Sequence, residues 1–528
     1  MKQNSTIHRV LLVLLSVALL SLGWLGVTGF TLLVALIPLL VISENLSDST
    51  RDFWRMLGWA TLTFMLWSAV TIGWVWNATP LGPLAAGLVG TFYNLCGVML
   101  YHYTSKRAPR ALAYSMLVVA WIATEWAYNS ADVMTFPWLL LGHGFSVDSW
   151  AVQWYEYTGI FGGTLWALVS NIAIFEVLRT RTTTAKVRAG LIVVLPVIVS
   201  IVLLLTYKPS ERTAQISVVQ PNVPCYEDER MARDKMNPTG DIMRLMESVP
   251  ASSSFVLLPE SSLAYIPGVG SIDEEQLFFV ESLLDRMIDD KYATKLITGA
   301  STTVRYGDNK STSTARFYDG YGWYDRYNSA LFVNNDGEVI DIYHKGKLVI
   351  GVEAVPMRQF FNYLEIDLGG ITGQLGWGEE HKIFENEGVK IGPSICYEGL
   401  YGGYFSGFAL RGAEVMALIS NDGWWGNTIG HKRLFDFCRL RAIETRRAIA
   451  RSANTGISGF ISPTGSVIGD RLEWDEEGVL TAEVELRTDK TVYTIYGDWI
   501  ARISTFVAVL TLLYFVAYRI RKRNHLVD

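Results

Sequence analysis

Three short strings each place a reactive side chain just beyond an apolar run: Leu257-Leu258-Pro259-Glu260-Ser261, Tyr343-His344-Lys345-Gly346-Lys347-Leu348-Val349 and Ser394-Ile395-Cys396-Tyr397-Glu398. In a layered α/β fold the ends of neighbouring strands converge on a crevice, so side chains in such positions can meet. The chemistry they would support is nucleophilic acyl transfer. A thiol attacks esters well, but at a free pKa of about 8.5 only a few per cent is thiolate, so Cys396 needs a base. Glu260 is of the type that takes the thiol proton and later returns it to a departing oxygen. Lys345 would hold positive charge where a tetrahedral oxyanion develops, beside the backbone N–H after Cys396, and preorganised donors of this kind contribute about 3 kcal/mol each. Taken singly, each residue has a plainer reading: Glu260 as a solvated strand end, Lys345 as a surface residue beside Lys347, and Cys396 as a small buried hydrophobe. Their ordered occurrence in one domain favours chemistry.

The other candidates are weaker. Four cysteines occur, with no CxxC pair and no spacing that suggests a disulfide framework or a zinc site. Cys96 lies in an apolar span, Cys225 in a linker-like loop and Cys438 in a helix-like, Arg-rich stretch, and none has a base signature. The histidines, His431 among them, lack metal-ligand spacing, so no metal is expected. Arg439, Arg441, Arg446 and Arg447 could recognise phosphate, although pairing with Glu444 and neighbouring acids is the simpler reading.

The elements that must position these residues form an α/β domain over 213–490. Its candidate strands are 214–220, 255–258, 295–300, 330–343 folded over the Asn335-Asp336-Gly337 turn, 389–395, 415–420, 448–453, 457–461 and 479–484. Before it, residues 1–208 have a different texture. Half of the 528 residues are hydrophobic, and apolar stretches at 9–24, 28–43, 56–75, 84–103, 111–128, 152–178 and 189–207 each approach the length that crosses a bilayer core of about 30 Å. An eighth lies near 499–518, within a C-terminal region 499–528. The first is expected to stay in the mature protein, because no small-residue cleavage site in a polar flank follows it. Lys2 and Arg9, Arg51 and Arg55, Lys106, Arg107 and Arg110, and Arg179, Arg181, Lys186 and Arg188 fall in the N-terminus or in alternate loops. The loops around 25–27, 76–83 and 129–151 hold no Lys or Arg. Basic loops stay cytoplasmic, so the N-terminus and the basic tail (Arg519, Arg521, Lys522, Arg523) are expected inside and the α/β domain outside. A net charge of -6 without a basic surface argues against nucleic acid as a partner.

A Glu after a Pro, a Lys after a hairpin and a Cys followed by Tyr-Glu, in this order, resemble the carbon-nitrogen hydrolase (nitrilase) superfamily, which implies an αββα sandwich. Seven spans before the domain and one after it narrow the resemblance to the apolipoprotein N-acyltransferase branch, over essentially the whole chain. Val219-Gln220-Pro221-Asn222-Val223, Thr135-Phe136-Pro137-Trp138 and Ser420-Asn421-Asp422-Gly423-Trp424-Trp425-Gly426 also resemble strings of that family. One departure follows the Lys: many members read Leu-Val-Pro-Phe-Gly-Glu, whereas this chain reads Leu348-Val349-Ile350-Gly351-Val352-Glu353. The Glu spacing survives while the intervening loop changes.

The resemblance implies a Glu260, Lys345, Cys396 triad supported by Glu353, Tyr397 and Glu398, working without a cofactor. The expected reaction is the last step of lipoprotein maturation in a bacterial inner membrane. A phospholipid, phosphatidylethanolamine by resemblance, donates an acyl chain to the α-amine of a diacylglyceryl-modified N-terminal Cys, through a thioester on Cys396. Trp138, Trp424 and Trp425 are candidate lipid or substrate contacts; Trp138, Trp150, Trp154, Tyr155 and Tyr157 could equally anchor the outer interface. Two alternatives stand beside this reading. A membrane-tethered amidase or nitrilase would need fewer spans, and a non-catalytic lipoprotein-binding factor would not need all three triad residues.

Overall fold

The second apolar stretch does not fold as one helix. In the computed structural model it breaks into a 3-10 turn at Phe30–Leu33 and a short helix at Ile37–Glu44. The break leaves backbone groups that lipid cannot satisfy, and Asn171, far along the chain, satisfies them. Its Oδ1 accepts from the N–H of Leu36 (2.7 Å) and Ile37 (3.2 Å), and its Nδ2 donates to the Leu32 carbonyl (2.7 Å).

The structure describes residues 5–131, 135–264, 271–278, 280, 281, 284, 285, 295–354 and 374–524. The last four residues of the basic tail therefore lie outside it. The chain divides into two compact units, one of residues 1–73, 83–205 and 496–528, the other of 74–82 and 206–495.

The first unit is helical: α1 (Thr6–Ser21), α2 (Ile37–Glu44), α3 (Thr50–Ile72), α4 (Gly82–Ser105), α5 (Arg110–Ser130), α6 (Tyr155–Thr158), α7 (Ile160–Thr180) and α8 (Thr183–Thr206), with a C-terminal helix at Trp499–Asn524. Each of the eight apolar stretches contains a helix. Among the described residues five helices are long and apolar enough to cross a membrane: Thr50–Asn77, Gly82–Ser105, Arg110–Ser130, Ile160–Thr180 and Thr183–Thr206. The sixth stretch begins its helix only at Ile160, because Gly159 at φ +59° separates it from α6. Indoles fill the interior: Trp24 meets Trp67 edge-on at 5.1 Å and Phe64 meets Trp121 at 5.7 Å. Arg107 pairs with Asp48, and Arg179 with Glu44 (3.0 Å) and Glu176 (3.2 Å), which gathers three basic loops at one end of the bundle.

The second unit is built on two sheets. One contains β1 (Thr213–Gln220), β2 (Phe255–Leu257), β3 (Ser271–Asp273), β4 (Lys295–Gly307), β5 (Arg316–Tyr318), β6 (Gly322–Val333), β7 (Val339–His344) and β14 (Gly478–Glu485), in the order β14-β1-β2-β4-β6-β5 with β3 on β4 and β7 on β6. The other runs β13-β12-β11-β10-β9-β8, from β8 (Phe384–Asn386), β9 (Val389–Ile395), β10 (Val415–Ser420), β11 (Ala448–Ala453), β12 (Ser458–Ile461) and β13 (Val467–Leu472). The sheets face each other: the Ser452 hydroxyl of β11 donates to the Val219 carbonyl of β1 (2.8 Å), and Phe332 of β6 stacks on Phe384 of β8 at 4.7 Å. With the helix Pro238–Met246 on the first sheet and the helices Gly402–Leu410 and Ile429–Thr445 beside the second, this is a nitrilase-like αββα sandwich. The expected strands at 389–395, 415–420 and 448–453 are β9, β10 and β11. The short β3, β5, β8 and β13 were not foreseen.

Candidate active site

All three reactive residues sit at strand ends of the second unit. Glu260 follows β2, Lys345 follows β7 directly, and Cys396 follows β9 directly, so the two sheets contribute to one group. Gly299 of β4 permits the close passage of the Glu260 loop: a Cβ there would lie 2.6 Å from the Glu260 Cα and 2.7 Å from the Pro259 carbonyl oxygen. Cys396 itself has φ +48°, a left-handed conformation that costs a non-glycine residue about 1–2 kcal/mol.

The Lys345 ammonium, 1 % exposed, lies between two carboxylates, 3.0 Å from Glu260 Oε1 and 2.9 Å from Glu353 Oε1. Asn328 Nδ2 donates to the same two oxygens, at 2.6 and 2.7 Å. The remaining oxygens are also held. Glu260 Oε2 accepts from the Asn421 N–H (2.9 Å), and Glu353 Oε2 accepts from the Val349 N–H (2.8 Å). The altered loop after the Lys still returns the carboxylate to it: Gly351 turns the loop at φ +87°, and Glu353 comes back onto both Val349 and Lys345.

Electrostatics separate the roles. Burial pulls the Lys345 ammonium down, but Glu260 and Glu353, with Cys396, outweigh it and hold the group above the ordinary lysine range. Burial, followed by the charge of Glu260, pushes the Cys396 thiol well above the usual cysteine value, and Lys345 only partly offsets this. Cys396 therefore rests as a neutral thiol, which would have to lose its proton to act as a nucleophile.

The expected supporting residues surround this group. Glu398 is fully buried; its Oε1 accepts from the Tyr343 hydroxyl (2.6 Å) and the Gly346 N–H (2.7 Å), and its Oε2 from the Ile395 N–H (2.7 Å). It thereby ties the Lys345 loop to the turn that carries Cys396. Burial pushes its carboxyl up to about 7 against these hydrogen bonds. A raised carboxyl contributes stability that is complete below the ordinary carboxylate range and is lost as pH rises through about 7. Thermal midpoints of the wild type should thus fall from about pH 5.5 to about pH 8.5 more steeply than those of Glu398→Gln; parallel profiles would exclude Glu398 as the titrating group. Tyr397 is buried beside Tyr401, ring centroids 5.4 Å apart.

Other candidates fall elsewhere. Trp424 packs edge-on against Tyr226 (5.7 Å), and Trp425 lies 5.1 Å from Trp74 and accepts a hydrogen bond from Asn77 Nδ2 at its carbonyl (2.9 Å). Trp138 belongs to the helical unit, fully buried and stacked on Phe136 at 5.6 Å, with its carbonyl accepting from Trp24 Nε1 (2.9 Å); these contacts are with protein. Of the arginines, Arg441 pairs with Glu444 at 2.9 Å as expected, both inaccessible, whereas Arg447 Nε donates to a backbone carbonyl, that of Ala413 (2.6 Å). Cys438 donates to the Leu434 carbonyl at 3.2 Å, and burial pushes its thiol up to about 11.

Asn328 was not foreseen, nor was the fully buried Asp422–Arg451 pair (2.8 Å) behind Cys396. Asn328→Asp would set a third carboxylate against Glu260 and Glu353. It should lower kcat by at least about 100-fold, and near-normal turnover would show that Asn328 does not govern these carboxylates.

Comparison with known proteins adds an independent observation. Residues 11–173 match the apolipoprotein N-acyltransferase N-terminal domain, and residues 300–491 match the carbon-nitrogen hydrolase domain. The chain belongs to the apolipoprotein N-acyltransferase family. Apolipoprotein N-acyltransferases of Chlorobaculum tepidum and Thermotoga maritima are 28% and 24% identical to it; the alignments cover 91% of this chain and 91% of the first relative, and 92% and 89% for the second. Among solved structures, Saccharomyces cerevisiae Nit3 of the nitrilase superfamily is 17% identical over 55% of this chain and 95% of its own, with a TM-score of 0.36. Within this acyltransferase, Lys345 and Cys396 lie in the matched hydrolase region and Glu260 precedes it.

Proposed function

We propose that the chain transfers an acyl group from a phospholipid, taken as phosphatidylethanolamine, to the α-amine of the diacylglyceryl-modified N-terminal Cys of apolipoproteins, by way of Cys396. The observation that carries this reading is the buried Glu260–Lys345–Glu353 group at the strand ends beside a neutral thiol on a strained turn.

In the first half-reaction Glu260 takes the thiol proton as sulfur attacks the ester carbonyl. Lys345 and the N–H after Cys396 stabilise the oxyanion. Collapse expels the glycerol oxygen, which takes the proton from Glu260, and the lysophospholipid leaves. In the second half the α-amine attacks the thioester, Glu260 accepts a proton from nitrogen, and collapse returns it to sulfur. Protons and electrons balance with no external reagent. Glu353, Tyr397 and Glu398 position these groups. Mass spectrometry of one lipoprotein's N-terminus in cells with and without this protein tests the reading: a third acyl chain dependent on the protein supports it, and its absence in both removes it.

The proposed organisation is a transmembrane region of seven spans over 1–208, a catalytic domain over 213–490 on the periplasmic side of a bacterial inner membrane, and a last span returning the tail to the cytoplasm. Its support is the one-sided set of Lys and Arg loops, three of which meet at one end of the helical unit. Alkaline phosphatase joined near residue 300 should be active and joined at the C-terminus inactive; the reverse pattern would sink the topology.

A further inference from the structure

One carboxylate of the helical unit has no part in the chemistry above. Glu125, on α5, is 2 % exposed. It accepts hydrogen bonds from Trp121 Nε1 (2.9 Å), the Leu141 N–H (2.9 Å) and the Thr164 hydroxyl (2.7 Å). All three donors are neutral, and among the described residues no charged side chain acts on it. A carboxylate buried among apolar helices is costly without a cation and marks a functional position by default.

Glu125 borders a crevice between α3, α4, α5 and residues 136–140, with about 360 Å³ of empty space, its open mouth included. Much of the wall is apolar or aromatic. Tyr93 and Tyr128 pack with ring centroids 4.8 Å apart, and Phe136 also lines the crevice. Asn94 lines it as well and is 8 % exposed. A cation must satisfy a carboxylate, aromatic faces and an amide oxygen together. Among the described residues no cluster of His, Cys, Asp or Glu could hold a metal ion. An alkylammonium suits all three: the ring faces attract its charge, the carboxylate neutralises it, and Asn94 accepts from its N–H.

We propose that this crevice binds the primary ammonium head of an amphiphile, with Glu125 as counter-ion, Tyr93 and Tyr128 as its aromatic wall and Asn94 as hydrogen-bond acceptor. Two amphiphiles carry that group, phosphatidylethanolamine and a diacylglyceryl-cysteine peptide with a free α-amine. Choosing these two rests on the acyl-transfer reading, whereas the crevice does not.

Native mass spectrometry of the full chain in detergent decides the matter without turnover. Phosphatidylethanolamine should be retained over phosphatidylglycerol of the same acyl chains, or the free-amine peptide over its N-acetylated form, by about tenfold. Whichever pair shows the difference names the source of the amine. Glu125→Gln should abolish the preference. Gly90→Leu should do the same by filling the crevice; a Cβ there would meet only the Tyr128 hydroxyl, at 3.9 Å, so this variant decides the matter if the first does not fold. Equal retention of both members of each pair by the wild type, or a preference unchanged in both variants, overturns the proposal. An amine preference in a protein that transfers no acyl chain would keep the crevice and remove the transferase reading.

Discussion

Cys396→Ala should abolish the acyl-enzyme and lower acyl transfer by at least about 10⁴-fold, the scale on which loss of a nucleophile is felt when nothing can replace its bond. Incubation of the wild type with labelled phospholipid and no acceptor should give a hydroxylamine-sensitive label on Cys396. The alternative thiols differ in environment. Cys438 is fully buried within a helix, bonded to the Leu434 carbonyl, with its thiol pushed up to about 11 and, among the described residues, no carboxylate hydrogen-bonded to it. Cys225 is closer to the chemistry: its sulfur lies 3.5 Å from the side-chain oxygen of Asn421, whose N–H holds Glu260. The control must therefore include both: Cys438→Ala and Cys225→Ala should keep the label. Label on either of those sulfurs, or normal transfer by Cys396→Ala, would show that the nucleophile has been misassigned.

The placement of the candidate residues at strand ends was legible because each stands beside an apolar run with a sharp end, and the turn at Asn335-Asp336-Gly337 announced the hairpin that delivers Lys345. In the structure Gly337 takes φ +77°, and Asn334 Oδ1 accepts from the N–H of Asp336 and of Glu338, both at 2.9 Å. Asn328 was missed for a definable reason. Counting back from that turn with a regular register would put Asn328 opposite His344. A bulge between Phe332 and Val333 shifts the pairing by one, so Ser329 faces His344 and the Asn328 carbonyl accepts from the Lys345 N–H at 2.8 Å. The first half of β6, Gly322 to Tyr327, mixes aromatic and charged residues and gives no period of two. Similarly, no local signal shows that the stretch 28–43 breaks, because the residue that satisfies the break, Asn171, lies 135 positions from Leu36.

Removing the central cation should have the second large effect, and it separates charge from proton transfer. Lys345→Met leaves Glu260 and Glu353, both nearly inaccessible, sharing Asn328 Nδ2 with no ammonium between them. Breaking a buried pair by deleting one partner costs about 3–5 kcal/mol, and here one deletion exposes two carboxylates to each other. The variant should melt well below the wild type and be inactive. Glu260→Gln is different: the Lys345–Glu353 pair survives. However, the amide nitrogen must face either Asn421 N–H on one side or Lys345 and Asn328 on the other, a donor against a donor in both orientations. A mismatch of that kind costs about 1–3 kcal/mol, while loss of the base should lower turnover by about 10²–10⁴-fold. Thermal midpoints and single-turnover acylation, measured on both variants, distinguish the roles. Lys345→Met as stable as the wild type would mean that the buried carboxylates do not depend on the ammonium, and Glu260→Gln acylating at the wild-type rate would remove Glu260 as the base.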